Sequence, residues 1–343
     1  MTTEKRLFGH TKNGEEVDCY TLTDDDLSVE ILNLGGIIRS FIIQTSKGPK
    51  DVALGFDDVE GYETQTGYIG ALIGRVANRI GDARFSLNGE GYELVANDGS
   101  NCLHSGSSGY DRRIWDVQTS EDALILTLHD ADMNGGFPGN LDAEVRYVVG
   151  RSRLNIYYTA TCDKDTPINL TNHCYFNLGG HDSGSIEKHK ISVFGNYITP
   201  VDEKLIPTGE LMDVSDTPFD LRDRTRIDRG LNSDHPQIIL GGGYDHNFVL
   251  SQKPSRAMSP AAVVEYEGLI MHCLTTQPGI QFYSGNFLSG EKGKGGAIYN
   301  KRSGLCLETQ SWPDAVNKPS FPDSILRKGG MYSHRTEIAL WEN

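Results

Sequence analysis

Nowhere does the sequence run to ~18 consecutive apolar residues, so no membrane span is expected. The opening MTTEKRLFGH holds no apolar stretch of signal-sequence length, and the cytoplasm is the expected compartment. Paired cysteines are missing as well. Cys19, Cys102, Cys162, Cys174, Cys273 and Cys306 are widely spread with no CxxC, and read as reduced thiols. Positive charge is scarce: 32 Lys plus Arg stand against 47 Asp plus Glu, a formal net charge of −15. A chain this acidic lacks the basic footprint of a nucleic-acid or anionic-membrane binder. There is no HExxH and no His/Cys cluster; His181 and His189 stand eight apart in a polar segment, so no metal is expected. A GxSxG elbow is absent, which leaves a serine nucleophile unsupported. SGEKGKGG at residues 289–296 lacks the GK[ST] ending of a phosphate-cradling loop and reads as a flexible tip. No cofactor motif remains.

Long segments with a 3.6-residue period are also lacking. Glycine is plentiful, at 39 residues, and the periodic segments are short, which points to strands and turns. Phe85 and Leu87 alternate with polar residues, Asn88-Gly89 supplies a turn, and Tyr92 and Leu94 resume the alternation. Period-two patterns recur over 141–149 and 154–160, over 115–119 and 123–129, and over 27–34 and 37–43. Helical turns fit only near Val59–Tyr62 and around Ile69–Ile73. The charge-alternating run 222–229 reads as a solvated loop or edge. The expected fold is all-β: one large antiparallel β-sandwich with few short helices, a single domain over residues 1–343.

Two strands carry the chemistry. In INLTNHCYFNL, residues 168–178, Ile168, Leu170, Cys174, Phe176 and Leu178 share one face. Asn169, Thr171, His173, Tyr175 and Asn177 share the other, so His173 sits among amides, a hydroxyl and a phenol, with no charged neighbour. In GLCLETQ, residues 304–310, Cys306, Glu308 and Gln310 oppose Leu305 and Leu307. Partial burial would raise the Glu308 pKa toward the range of a general base; a structural carboxylate is the other reading. Arg75, Asn78 and Arg79 in IGRVANR either hold hydroxyls and carboxylates or clamp a loop. His104 lies in the turn-rich NDGSNCLHSG, Asp245 follows a glycine turn in GGGYDH, and Gln281 and Tyr283 share a face of GIQFY.

Six blocks taken in order carry a resemblance: GRVANR, NDGSNCLHSG, TNHCYFNL, GGYDHNFVL, PGIQFYSGN and CLETQSWPDAVN. Together they resemble the aldose 1-epimerase, or galactose mutarotase, family, and the last block is nearest to its animal-type members. The resemblance implies a large antiparallel β-sandwich with a sugar cleft across one sheet. It places His173 where the family has its general acid and Glu308 where it has its general base. His104, Asn78, Arg79, Asp245 and Gln281 fall on sugar-contacting positions; Tyr175, beside His173, is taken as a further contact. His104 is also taken as a catalytic stabiliser of charge on the ring oxygen. The implied activity is interconversion of the α- and β-anomers of galactose, with glucose as a second substrate, without cofactor. The implied partner is a small aldohexose, and the protein is expected to be a monomer, with a dimer left open. Two alternatives stay on the table: a sugar-phosphate 1-epimerase, for which Arg75 and Lys204 are available cations, and a non-catalytic carbohydrate-binding protein. A glycoside hydrolase using Glu308 and Asp245 is disfavoured, because the acid–base pattern here is His plus Glu.

Overall fold

The computed structural model describes residues 1–343. It consists of antiparallel sheets with three short helices, Val59–Thr64, Ile227–Leu231 and Pro236–Gly241. A five-stranded N-terminal sheet runs in chain order from Thr2–His10 to Gly48–Asp51. A nine-stranded sheet begins with Asp116–Thr119, Leu124–Asp130, Leu141–Val149 and Arg153–Cys162, each paired with the next. It continues through Met331–Glu342, Leu269–Thr275, Ser259–Tyr266, Lys190–Val193 and Thr225–Arg226. The strand Met331–Glu342 therefore lies near the middle of the sheet. A six-stranded sheet follows the order Tyr175–Phe176, Leu305–Gln310, Gly279–Tyr283, Asp245–Val249, Tyr197–Ile198, Met212–Asp213.

The period-two segments form strands because alternation gives each one an apolar face. Leu124, Leu126, Leu141, Val145, Ile156 and Tyr158 from the nine-stranded sheet meet Phe248, Ile280, Phe282, Leu305 and Leu307 from the six-stranded sheet in one core. Residues of the N-terminal sheet, among them Leu22, Val29 and Phe41, complete it. Truncating a fully buried ring such as Phe282 to Ala would cost about 3–5 kcal/mol. The hairpin at 84–93 turns on Asn88 and Gly89, both at positive φ, as a tight two-residue turn requires.

Three expectations change. The helical turn around Ile69–Ile73 is instead a tight turn followed by the short strand Leu72–Ile73, paired with Thr171–Asn172. Gly70 sits at φ +79, where a Cβ would stand 2.4 Å from the Ile38 carbonyl oxygen, so a helix cannot run through it. INLTNHCYFNL is not one strand. Asn169 bridges to Val76, Thr171–Asn172 pairs with Leu72–Ile73, and Tyr175–Phe176 pairs with Leu305–Gln310. The face alternation survives these breaks, since Ile168, Leu170, Cys174, Phe176 and Leu178 all enter the main core. The 289–296 segment is anchored rather than a free tip: Lys294 is buried and its ammonium reaches Asp51 at 2.6 Å. The charged run 222–229 does lie at an edge, that of the nine-stranded sheet, and then enters the helix Ile227–Leu231.

Candidate active site

Strand register builds the site. Across the six-stranded sheet, Asn247, Gln281 and Glu308 are direct partners in one row; Asp245, Tyr283, Cys306 and Tyr175 form the next. Both rows project from the face opposite the core leucines and phenylalanines. A cleft of about 570 Å³, counted out to open solvent, opens over this face.

His173 occupies the break between two short strands. Its backbone N–H donates to the Ala71 carbonyl at 2.8 Å and its carbonyl accepts from Gly70 N–H at 3.0 Å, so both sides of the peptide are fixed. The ring is buried, with Nδ1 3.5 Å from Cys306 Sγ and Nε2 3.7 Å from Glu308 Oε1. Burial pushes the ring down to about 4, its own carbonyl working weakly the other way. Glu308 is 2 % exposed, and its Oε2 has no hydrogen-bond partner in the protein. Burial, reinforced by the nearby Asp245 carboxylate, raises its pKa well above the usual range; Arg79 opposes this. Both shifts favour the neutral forms, so His⁰/GluH is the state preferred by the free pair. It carries the same single proton as His⁺/Glu⁻.

His104 is held on the opposite wall by Asn78. Its N–H donates to the Asn78 carbonyl at 3.0 Å, and its Nδ1 accepts from Asn78 N–H at 3.1 Å. An accepting Nδ1 puts the proton of the neutral ring on Nε2. Burial, with His173 and Arg79 nearby, drives the His104 pKa well below its ordinary value and keeps the ring neutral. Asn78 and His104 both take positive φ, which turns the two segments toward each other. Arg79 donates from Nε to Asp98 at 2.7 Å and reaches Asp245 Oδ2 with Nη1 at 3.9 Å. Asp245 accepts from Gln281 Nε2 at 2.7 Å; burial raises its pKa, against the pull of Arg79 and Gln281.

The structure thus brings His104, His173, Glu308, Asn78, Arg79, Tyr175 and Asp245 to the wall of one cleft. Gln281 is placed behind Asp245, in a smaller cavity shared with Thr199 and Asn247, and touches the cleft through Asp245. Arg75 leaves the site altogether. It is buried on Asp130, the carbonyls of Pro138 and Gly139, and Thr166, and so clamps loops. His189 lies apart, stacked on Tyr266, and His181 bonds the Tyr299 hydroxyl. Sequence reasoning missed Tyr68 and Phe287. Tyr68 packs its ring edge-on to His104 at 4.6 Å, and Phe287, 62 % exposed, stands at the lip. For Tyr68 the signal was an aromatic between glycines just before GRVANR; for Phe287 none was available.

Ligand atoms of His104, His173 and Glu308 lie within 4.8 Å of one another, a donor set that a zinc-like ion would accept. Ligation would need a lone pair on His104 Nε2, where the Asn78 N–H has placed the proton. The arrangement suits proton transfer better: a buried acid and base face each other, beside a neutral N–H donor and a polar wall of amide, guanidinium and carboxylate.

Known proteins match this chain over nearly its whole length. The family model for aldose 1-epimerase matches residues 18–339. The galactose mutarotase of Mus musculus is 41 % identical over 339 residues, covering 98 % of each chain. The aldose 1-epimerase of Escherichia coli is 39 % identical over 332 residues, covering 95 % of each. The crystal structure of galactose 1-epimerase from Lactobacillus acidophilus superposes with a TM-score of 0.86 at 27 % identity, covering 100 % of this chain and 99 % of that one. With a family model that spans nearly the whole chain and relatives near 40 % identity end to end, this chain belongs to the aldose 1-epimerase family.

Proposed function

We propose that the protein interconverts the α- and β-anomers of free aldohexoses, galactose foremost and glucose second, by acid–base ring opening. The observation that carries this reading is the His173–Glu308 pair. At 3.7 Å the two groups are too far apart for a strong direct hydrogen bond. They are close enough to serve two oxygens bonded to one anomeric carbon. Glu308 takes the proton from the anomeric hydroxyl while His173 gives its Nε2 proton to the ring oxygen. The bond from the anomeric carbon to the ring oxygen breaks and the carbonyl forms. The aldehyde rotates and recloses with the two groups exchanging roles. From its neutral resting form the pair first moves its shared proton from Glu308 to His173, so the reacting pair begins as His⁺/Glu⁻ and ends as His⁰/GluH, and no net charge enters or leaves the buried site. Each positioned proton transfer is worth ~10²–10⁴-fold.

The His104 Nε2–H is available to the oxygen on which charge develops. Asn78, Arg79 and Asp245 hold hydroxyls, with Gln281 fixing Asp245. Tyr68, Tyr175, Tyr283 and Phe287 offer flat surfaces to the C–H faces of the sugar. The sugar-phosphate alternative loses support. Arg75 is committed to Asp130, and Lys204 pairs with Asp82 outside the cleft. Arg79, the one cation on the cleft wall, already serves Asp98 and Asp245.

We read residues 1–343 as one domain, because a single core draws residues from Tyr20 to Leu340. We place the protein in the cytoplasm, supported by six buried, unpaired cysteines, and no helix is long and apolar enough to cross a membrane. A site complete within one chain supports a monomer. The deciding experiment is polarimetry of freshly dissolved α-galactose. Accelerated approach to anomeric equilibrium supports the proposal, and an unaltered rate overturns it.

A further inference from the structure

Arg79 lines the cleft, yet its tightest partner stands outside the group that holds the sugar. Its Nε donates to Asp98 Oδ2 at 2.7 Å, whereas its Nη1 stays 3.9 Å from Asp245 Oδ2, beyond hydrogen-bond reach. The Arg79 and Asp245 side chains are only 9 % and 10 % exposed, and opposite charges so placed would close into a forked pair if free to do so. Asp98 is presented from a hairpin that keeps it still. Its N–H and carbonyl pair with Asn101, and the Asn97 side chain accepts from Leu103 N–H at 2.7 Å and donates to the Leu103 carbonyl at 3.0 Å. Leu103 in turn pairs directly with Arg79.

We propose that Asp98 is a positioning residue for Arg79: it tethers the guanidinium at Nε, holds it back from Asp245, and so keeps open a gap that a sugar hydroxyl fills. This rests on the sugar reading above. In that gap one hydroxyl accepts from Nη1 and donates to Oδ2, which uses its proton and a lone pair together. Direct closure of Arg79 on Asp245 would spend both charges on each other and leave the hydroxyl no partner it does not have to compete for. The other side of the gap is pinned in the same manner, since Gln281 Nε2 holds Asp245 by its second oxygen at 2.7 Å. The two tethers differ in exposure. Gln281 is buried, whereas the Asp98 side chain is 37 % exposed and can be altered without opening the core.

The test joins a sugar-free crystal structure of full-length Asp98→Ala to galactose binding and turnover. In the crystal, Arg79 is expected to close on Asp245 to a hydrogen bond of ~3.2 Å or less; an unmoved guanidinium overturns the proposal. Galactose affinity by calorimetry should weaken ~3–5-fold and KM should rise to match, with kcat within ~2-fold, the modest size reflecting a half-buried ion pair. Unchanged affinity, or a loss confined to kcat, overturns it. Asp98→Asn keeps an oxygen for Nε–H and should restore both position and affinity; failure to restore them overturns the tether. In an Arg79→Ala background, Asp98→Ala should raise KM no further, and a further rise of the same size overturns action through Arg79. Asp98→Ser, too short to reach Nε, gives the same readouts if the Ala variant fails to fold. A wild type that neither binds nor turns over galactose would overturn the sugar reading, and the crystal structure then decides the tether by itself.

Discussion

The molecule buries charge in two kinds of place, and they are built in opposite ways. Around Asp130, Arg75 donates at 2.9 Å and the Tyr110 hydroxyl at 3.0 Å, while Arg75 also caps two carbonyls. Around Asp51, Lys294 and the backbone N–H groups of Phe41 and Ala53 converge. Burial alone would raise Asp51, yet these partners bring its pKa below the usual value. In the cleft, Glu308 is as buried as Asp130 and more so than Asp51, but it keeps one oxygen unpartnered, and its pKa moves up where that of Asp51 moves down. Full satisfaction makes a buried charge a fastener; partial satisfaction leaves a group ready to exchange a proton. Burial by itself does not separate the two.

The largest break in this contrast is Glu308→Gln. Turnover should fall ~10³-fold or more, about 4 kcal/mol in barrier, while galactose affinity measured by calorimetry changes far less. The amide still offers hydrogen bonds but cannot take the anomeric proton. Next comes Arg75→Met, which should leave Asp130 buried against a lost cation. Denaturant unfolding should show a loss of about 3 kcal/mol, the low end for a broken buried pair because Tyr110, Asn134 and Arg113 still reach the carboxylate. Turnover per folded molecule should stay unchanged; a selective loss of turnover would place Arg75 in the site.

His173→Asn should cost ~10²-fold in turnover with the fold intact. Near-normal turnover there would move the acid role to His104 or water.

Acidity should separate the two regions more gently. Asp51 has a folded pKa below its ordinary 3.8, so its stabilisation is complete above 3.8 and is lost as pH falls through the folded value. Glu308 has a folded pKa raised above 4.5, so its contribution is greatest below 4.5 and declines as pH rises toward that folded value. Unfolding followed across pH should therefore lose the second decline in Glu308→Gln and keep the first. Wild-type activity should fall at low pH as the His–Glu pair takes a second proton, and that limb should vanish in the same variant. The smallest expected effect is none: exhaustive chelation should leave activity intact. Loss with recovery on one added metal would turn the His104–His173–Glu308 cluster into a metal site.

The parts of the fold governed by local chemistry were readable. Asn88-Gly89 announces its hairpin, and alternation over 141–149 and 154–160 marks both strands and their inward faces. The same alternation placed Glu308 and Cys306 on one face, and His173 and Tyr175 on another. What failed depended on distant partners. INLTNHCYFNL breaks because its three pieces meet three separate segments. Lys294 looked like part of a loose glycine tip because Asp51, its anchor, is 243 positions away. Local pattern did not separate Arg75 from Arg79 in IGRVANR; the resemblance singled out Arg79, and the loop carrying Asp130 and Pro138 explains why Arg75 turns away from the cleft. His173 and Glu308 were marked as site residues by motif resemblance, whereas their separation and burial came from the assembled sheets.

The strand Met331–Glu342 fills the gap between Arg153–Cys162 and Leu269–Thr275. During synthesis both neighbours are made long before their shared partner leaves the ribosome. The nine-stranded sheet cannot close until translation has passed residue 342, so the inner edges of its two halves wait exposed until then. A message cut a dozen codons short of that point would yield two half-sheets with unpaired edges, a substrate for chaperones and proteases rather than a slightly shortened enzyme.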